Sequence, residues 1–112
     1  MSYNIEILEP CKKEIKHLSK RYKSFKEDLE ELYARLQDNP FLGTDLGNGV
    51  HKIRMSITSK SAGKRGGARV ISYVNVVIAE EKGDIFLLSI YDKSSQSTIS
   101  DKRINELLSQ IQ

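Results

Sequence analysis

The stretch Ala68–Ile78 places apolar residues at both odd and even positions. An extended chain of that kind has no wet face, so it must be a central strand with neighbours on both sides. The segments around it suit that role. Upstream, Ile53, Met55 and Ile57 alternate with Lys52, Arg54 and Ser56, the pattern of a half-buried strand with its cations outward. Downstream, Ile85–Tyr91 is a further strand. Gly63-Lys64-Arg65-Gly66-Gly67 and Glu80–Asp84 are the turns between them. Three strands joined by short turns predict an antiparallel meander.

The first half of the chain supplies what covers this sheet. Tyr3, Ile5 and Ile7 alternate with polar residues as a short strand, ended by Pro10, which can also open a helix. Cys11, Ile15, Leu18 and Tyr22 recur at helical spacing with lysines between them. Ser24 followed by Glu27 reads as a capping box for a second helix, with an apolar face of Phe25, Leu29, Leu32, Tyr33 and Leu36. Asn39-Pro40 stops that helix. Ser100 can cap a last helix carrying Ile104, Leu107, Leu108 and Ile111 on one face. The predicted order is β-α-α-β-β-β-α. This is an α+β fold: an antiparallel sheet with an N-terminal helical hairpin packed on one face and a C-terminal helix, all helices expected on the same side.

At 112 residues the expectation is a single domain, 1–112, with a modest core. The one cysteine, Cys11, excludes an internal disulfide and falls on a helix face that should be buried, so packing is its expected role. Glu6 and Glu9 interrupt the N-terminus, no apolar run approaches membrane-spanning length, and the expected location is cytoplasmic.

Charge is distributed unevenly. Residues 1–45 carry eight basic and nine acidic groups, and residues 80–112 carry four and six. Between Leu46 and Ala79 no acid occurs, yet Lys52, Arg54, Lys60, Lys64, Arg65 and Arg69 do. The formal net charge of +3 therefore conceals a +6 island in mildly acidic surroundings. Such a field suits a polyanion, most commonly a phosphate chain. Lys60, Lys64 and Arg65 are the expected nucleic-acid contacts of this island, with Tyr73 on the face shared with Arg69.

The same residues suggest chemistry. Period two puts Lys52 and Arg54 on one strand face, and Arg69 on one face with Ile71 and Tyr73. Tyr91 ends the third strand and Lys93 follows it. If these faces coincide, fixed cations lie beside a phenol. Cations can neutralise the charge that grows as a phosphodiester becomes pentacoordinate. Tyr91, its pKa lowered by neighbouring cations, or a lysine of lowered pKa could remove the proton from a ribose 2′-hydroxyl, and Lys93 could protonate the leaving oxygen. Internal attack by the 2′-hydroxyl needs neither metal nor cofactor and is confined to RNA. The glycine-flanked turn lacks P-loop spacing. No carboxylate cluster or His/Cys pair suggests a metal, and a serine-hydrolase elbow is absent. His17 lies among lysines, and His51 precedes the basic strand within reach of the site.

His51-Lys52-Ile53-Arg54-Met55, Gly63-Lys64-Arg65-Gly66-Gly67-Ala68-Arg69-Val70-Ile71-Ser72-Tyr73 and Leu87-Leu88-Ser89-Ile90-Tyr91-Asp92-Lys93 together resemble the three central strands of RelE/HigB-type toxins of bacterial toxin–antitoxin systems. Length and element order agree, so the resemblance covers nearly the whole chain. It implies a ribosome-dependent endoribonuclease that cuts translated messenger RNA and is held inactive by a cognate antitoxin, commonly a DNA-binding helix-turn-helix protein. In such toxins the catalytic groups are basic residues on the central strands, with a tyrosine or histidine near the end of the last strands or in the final helix. Lys52, Arg54 and Arg69 match the basic positions. Tyr91 and Lys93 fall in the same neighbourhood. Here Ser94 and Ser95 follow Lys93, where some relatives have a further arginine, and no histidine occurs after His51. The general base is therefore open. The competing expectation is a non-nuclease toxin of the same fold, like the gyrase-poisoning ParE proteins, or an inactive RNA-binding relative.

Overall fold

A strand, two helices, four more strands and a final helix make up the chain in a computed structural model that describes residues 3–60 and 66–111. In order they are β1 (Asn4–Ile7), α1 (Glu9–Arg21), α2 (Phe25–Asp38), β2 (Thr44–Gly47), β3 (Val50–Met55), β4 (Ala68–Val77), β5 (Lys82–Asp92) and α3 (Asp101–Leu108). The sheet runs β1-β5-β4-β3-β2. β3, β4 and β5 form the predicted antiparallel meander, with β4 at its centre. Two features go beyond the prediction. β1 joins β5 in parallel, so the sheet is mixed. β2 is an added edge strand, turned onto β3 through Asn48-Gly49, both at positive φ as a tight two-residue hairpin demands.

The hairpin of α1 and α2 lies on one face. Cys11, Leu18, Phe25, Leu29, Leu32 and Leu36 pack there against Ile53, Met55, Val70, Ile85, Leu87 and Ile90. Cys11 is wholly buried, and burial pushes its thiol far above the ordinary range, as a packing role requires. α3 occupies the other face, not the hairpin's side as expected. Its Ile104 and Leu107 cover Val50, Ile71, Leu88 and Tyr91. A central strand apolar on both faces needs a cover on each. Ser100 caps α3 as predicted, accepting from the Arg103 amide at 3.1 Å. Ser24 does not form the expected capping box. Its hydroxyl donates to Asp28 at 2.8 Å and accepts from the Ser59 amide at 2.8 Å, tying α2 to the turn after β3.

β5 carries a bulge. Ile71 pairs with Ser89 and Ser72 with Leu87, leaving Leu88 as an extra residue. Strict alternation from Leu87 would carry Tyr91 to the hairpin face. The extra residue instead sends Ile90 and Asp92 to the hairpin and Tyr91 to the α3 side. β1 ends opposite Leu87, so the rest of this strand's outer edge lacks a neighbouring strand. Glu14 of α1 fills the vacancy, accepting from the Ile90 amide at 3.0 Å and the Ser89 hydroxyl at 3.1 Å.

The end of β5 is fixed by Asp92, whose side chain is 3% exposed. Lys60 Nζ meets it at 2.7 Å and also donates to the Gly66 carbonyl at 2.8 Å. The Tyr22 and Ser94 hydroxyls complete its shell. Burial alone would raise the carboxyl's pKa, but hydrogen bonds from Lys60, Tyr22 and Ser94 outweigh it and hold the group far below the carboxylate range. A depressed folded pKa stabilises above the unfolded value, near ~4, and that stability drains away as pH falls from there through the folded value. Asp92→Asn is therefore expected to lose about 3 kcal/mol or more at neutral pH, since it strands a buried ammonium. In urea titrations the gap between wild type and variant should narrow steadily below about pH 4. A gap constant across that range would show that Asp92 does not hold the strand end through its charge.

Candidate nucleic-acid interface

The three strand faces do coincide. Arg54 is paired across the ladder with Arg69, and Arg69 with Tyr91. One row perpendicular to the strands thus carries two guanidiniums and a phenol, about 10 Å from end to end at ordinary strand spacing. Lys52 stands two residues along β3 on the same face, opposite Ile71. Lys93 follows β5, its amide bonded to the Gly67 carbonyl at 3.0 Å and its ammonium to the Ser97 carbonyl at 3.1 Å. Gly67 is required here, because a Cβ would fall 2.1 Å from the Met55 carbonyl oxygen.

Lys52, Arg54, Arg69 and Lys93 line one open concavity, and Arg35 of α2 lines it with them. No carboxylate among the described residues lines it. Directly opposed like charges are unfavourable in a ladder, so Arg54 against Arg69 is a cost that a bound anion would remove. Burial of Arg69, then the nearby Arg54, lower its pKa, against an upward pull from Tyr91. A guanidinium remains charged despite that.

Exposure along the row is graded. Arg54 is open to solvent, Lys52 and Lys93 are half-buried, and Arg69 and Tyr91 are 5% and 4% exposed. Tyr91 lies beneath Ile104 and Leu107, and its hydroxyl is buried without a hydrogen-bond partner among the described residues. Burial pushes the phenol's pKa up, against a smaller downward pull from Arg69. The expected lowering by cations is thus reversed, because desolvation outweighs the one guanidinium close by.

The remaining candidates are dispersed. Lys60 is on the hairpin side, enclosed by Asp92 and the Tyr22 ring, so it braces the fold instead of offering a free charge to RNA. Lys64 and Arg65 lie outside the described residues. Tyr73 shares the α3 face but is half-buried, its ring 6.0 Å from that of Phe86. His51 is on the hairpin face, buried against Phe41 with ring centroids 5.8 Å apart, and does not touch the row. His17 is exposed on α1. Arg35 was not foreseen. It reads as an ordinary surface residue of an amphipathic helix, and only the packing of α2 beside β3 brings it to the concavity.

No described helix is long and apolar enough to cross a membrane. No family model matches the sequence. Solved structures do match the fold. E. coli toxin RelE in the free state, with two arginines changed to alanine, superposes with a TM-score of 0.62 at 18% identity, covering 100% of both chains. The isolated E. coli RelE toxin gives 0.56 at 15% identity, covering 99% of this chain and 100% of that one. With the mixed five-stranded sheet, the helical hairpin and the C-terminal helix all in place, this chain has the fold of the RelE toxin.

Proposed function

We propose that this chain is a RelE-type toxin: a metal-independent endoribonuclease that acts on translated messenger RNA at the ribosome and is neutralised by a cognate antitoxin. The observation that carries the reading is the Arg54–Arg69–Tyr91 row, whose two arginines share with Lys52 and Lys93 a concavity lined by no acid among the described residues. Similarity to the RelE fold adds weight to it.

In this reading the scissile phosphate lies on the row. Arg54 presents a planar fork that can meet two phosphate oxygens. Arg69, 5% exposed and donating to the Ala68 carbonyl, adds its charge from beside it, and their mutual repulsion falls as the phosphorus gains negative charge. Stabilisation is therefore greatest in the transition state, which is what speeds a reaction. The 2′-hydroxyl attacks the adjacent phosphorus, the bond to the 5′-oxygen breaks, and the products end in a 2′,3′-cyclic phosphate and a 5′-hydroxyl. Lys93, which follows β5 two residues beyond Tyr91, would donate a proton to the leaving oxygen. Proton removal is assigned to Tyr91 once α3 shifts to uncover it, because a buried phenol of raised pKa cannot reach a ribose. Lys52, already half-open, is the other base on this face.

One observation favours a second reading. Tyr91 is closed off in this conformation, as it would be in an RNA-binding relative that has lost cleavage. Cleavage assays on translating ribosomes separate the two. Arg69→Ala should reduce cleavage by about two to three orders of magnitude, the usual loss for a preorganised charge contact. EDTA, added once ribosomes are assembled and stabilised, should not stop the cleavage step. Failure of wild-type protein to cut translated message would reject the enzymatic assignment, and cleavage at full rate by Arg69→Ala would reject the row as the catalytic site.

Tyr91→Phe tests the base separately. It should slow cleavage by about one to two orders, the range of general acid–base catalysis. The fold should hold, since the hydroxyl has no partner to lose. Undiminished cleavage by this variant would move the proton-removal role to Lys52 or Lys93.

A further inference from the structure

One cation in the concavity comes from no strand. Arg35 is in the last turn of α2, yet it lines the same hollow as Lys52 and Arg54. The reason is where β2 begins. Thr44 pairs with Lys52, so beyond that point β3 has no strand beside it and Arg54 faces an open edge. Leu42, Gly43 and Arg35 border the gap. Gly43 makes the close approach possible: its φ is +97°, and a Cβ there would fall 2.5 Å from the Lys52 carbonyl oxygen.

Arg35 is half-buried. Glu31, one turn back on α2, is positioned to pair with it, yet no carboxylate among the described residues forms an ion pair with Arg35, Lys52 or Arg54. The other ends of the site differ. α3 closes the row at Tyr91, whereas the β3 edge is open. A strand of RNA lying on the row and continuing past Arg54 would meet this edge, where a backbone phosphate could face Arg35.

We propose that the hollow at the end of β3 is a second phosphate subsite for single-stranded RNA, with Arg35 as the residue that grips it and Lys52 shared with the row. The proposal rests on the RNA reading above and adds the direction in which the strand leaves the site. Arg35 would touch a phosphate away from the reacting bond, so its contribution is to binding and register.

The test is equilibrium binding of the full chain to 2′-O-methyl RNA, which lacks the attacking hydroxyl and cannot be cut. A dinucleotide fills the row alone, and a hexanucleotide reaches the hollow. Arg35→Ala should weaken hexanucleotide binding by about tenfold at low salt, as loss of one charge-assisted contact does. It should also make the salt dependence shallower by about 0.7 in slope. Dinucleotide binding should not change, and Arg35→Lys should recover part of the loss. If Arg35→Ala binds the hexanucleotide like wild type while Arg54→Ala binds it weakly, the subsite is wrong and the RNA reading stands. An equal loss on both oligonucleotides would likewise remove the subsite, because Arg35 would then act on the row itself. If neither variant weakens binding, the RNA reading fails with it.

Discussion

A single extra residue in β5 determines which groups meet on the sheet. The bulge at Leu88 changes the strand's parity, so Leu87 and Ile90 both serve the hairpin core although an odd and an even position separate them. The same change lets Asp92 turn toward Lys60 and Tyr22 while Tyr91 turns toward Arg69. Without it, the carboxylate would sit on the cationic face beside Arg69 and the phenol in the hairpin core. The acid-free character of the concavity is therefore a matter of strand parity as much as of composition.

The β5 end shows how two sets of charges are kept apart. Lys60 and Asp92 neutralise each other on the hairpin side, under Tyr22. Arg54 and Arg69 are opposed on the other side, in a concavity lined by no acid among the described residues. Buried opposite charges with full hydrogen-bonding shells tolerate low dielectric, whereas opposed like charges raise the energy of the empty site. The sheet separates the two arrangements by its own thickness. Attraction holds the scaffold on one face, and repulsion on the other makes a site that favours an anion.

Much of this was legible in the sequence, for identifiable reasons. Period-two alternation located β3, and with it Lys52 and Arg54 on one face; the two-faced apolar run located β4 and Arg69. The helices followed from 3.6-residue spacing. What was hidden depends on partners distant in sequence. The bulge has no glycine to announce it. Asn48-Gly49 was a hairpin signal, but the β2 it serves is four exposed residues with no apolar alternation. Lys60 looked like the other lysines of the island because its partner lies 32 residues away. The side chosen by α3 could not be read from its own amphipathic pattern, which shows that a face is buried and not against what. Arg35 gave no local signal, since a lone arginine on a helix is ordinary until the strand beside it ends.

Glu14 has a consequence for the order in which the molecule is made. Its carboxylate stands in for a missing strand on β5, a partner that lies 76 residues later in the chain. An unguarded strand edge recruits other chains, and it does so most readily while a protein is only partly assembled. Because α1 leaves the ribosome long before β5, the stopper already exists when the edge it must close emerges. A protein that placed this helix after its sheet would expose that edge to every nascent neighbour on the same message. Here N-to-C synthesis keeps the interval short.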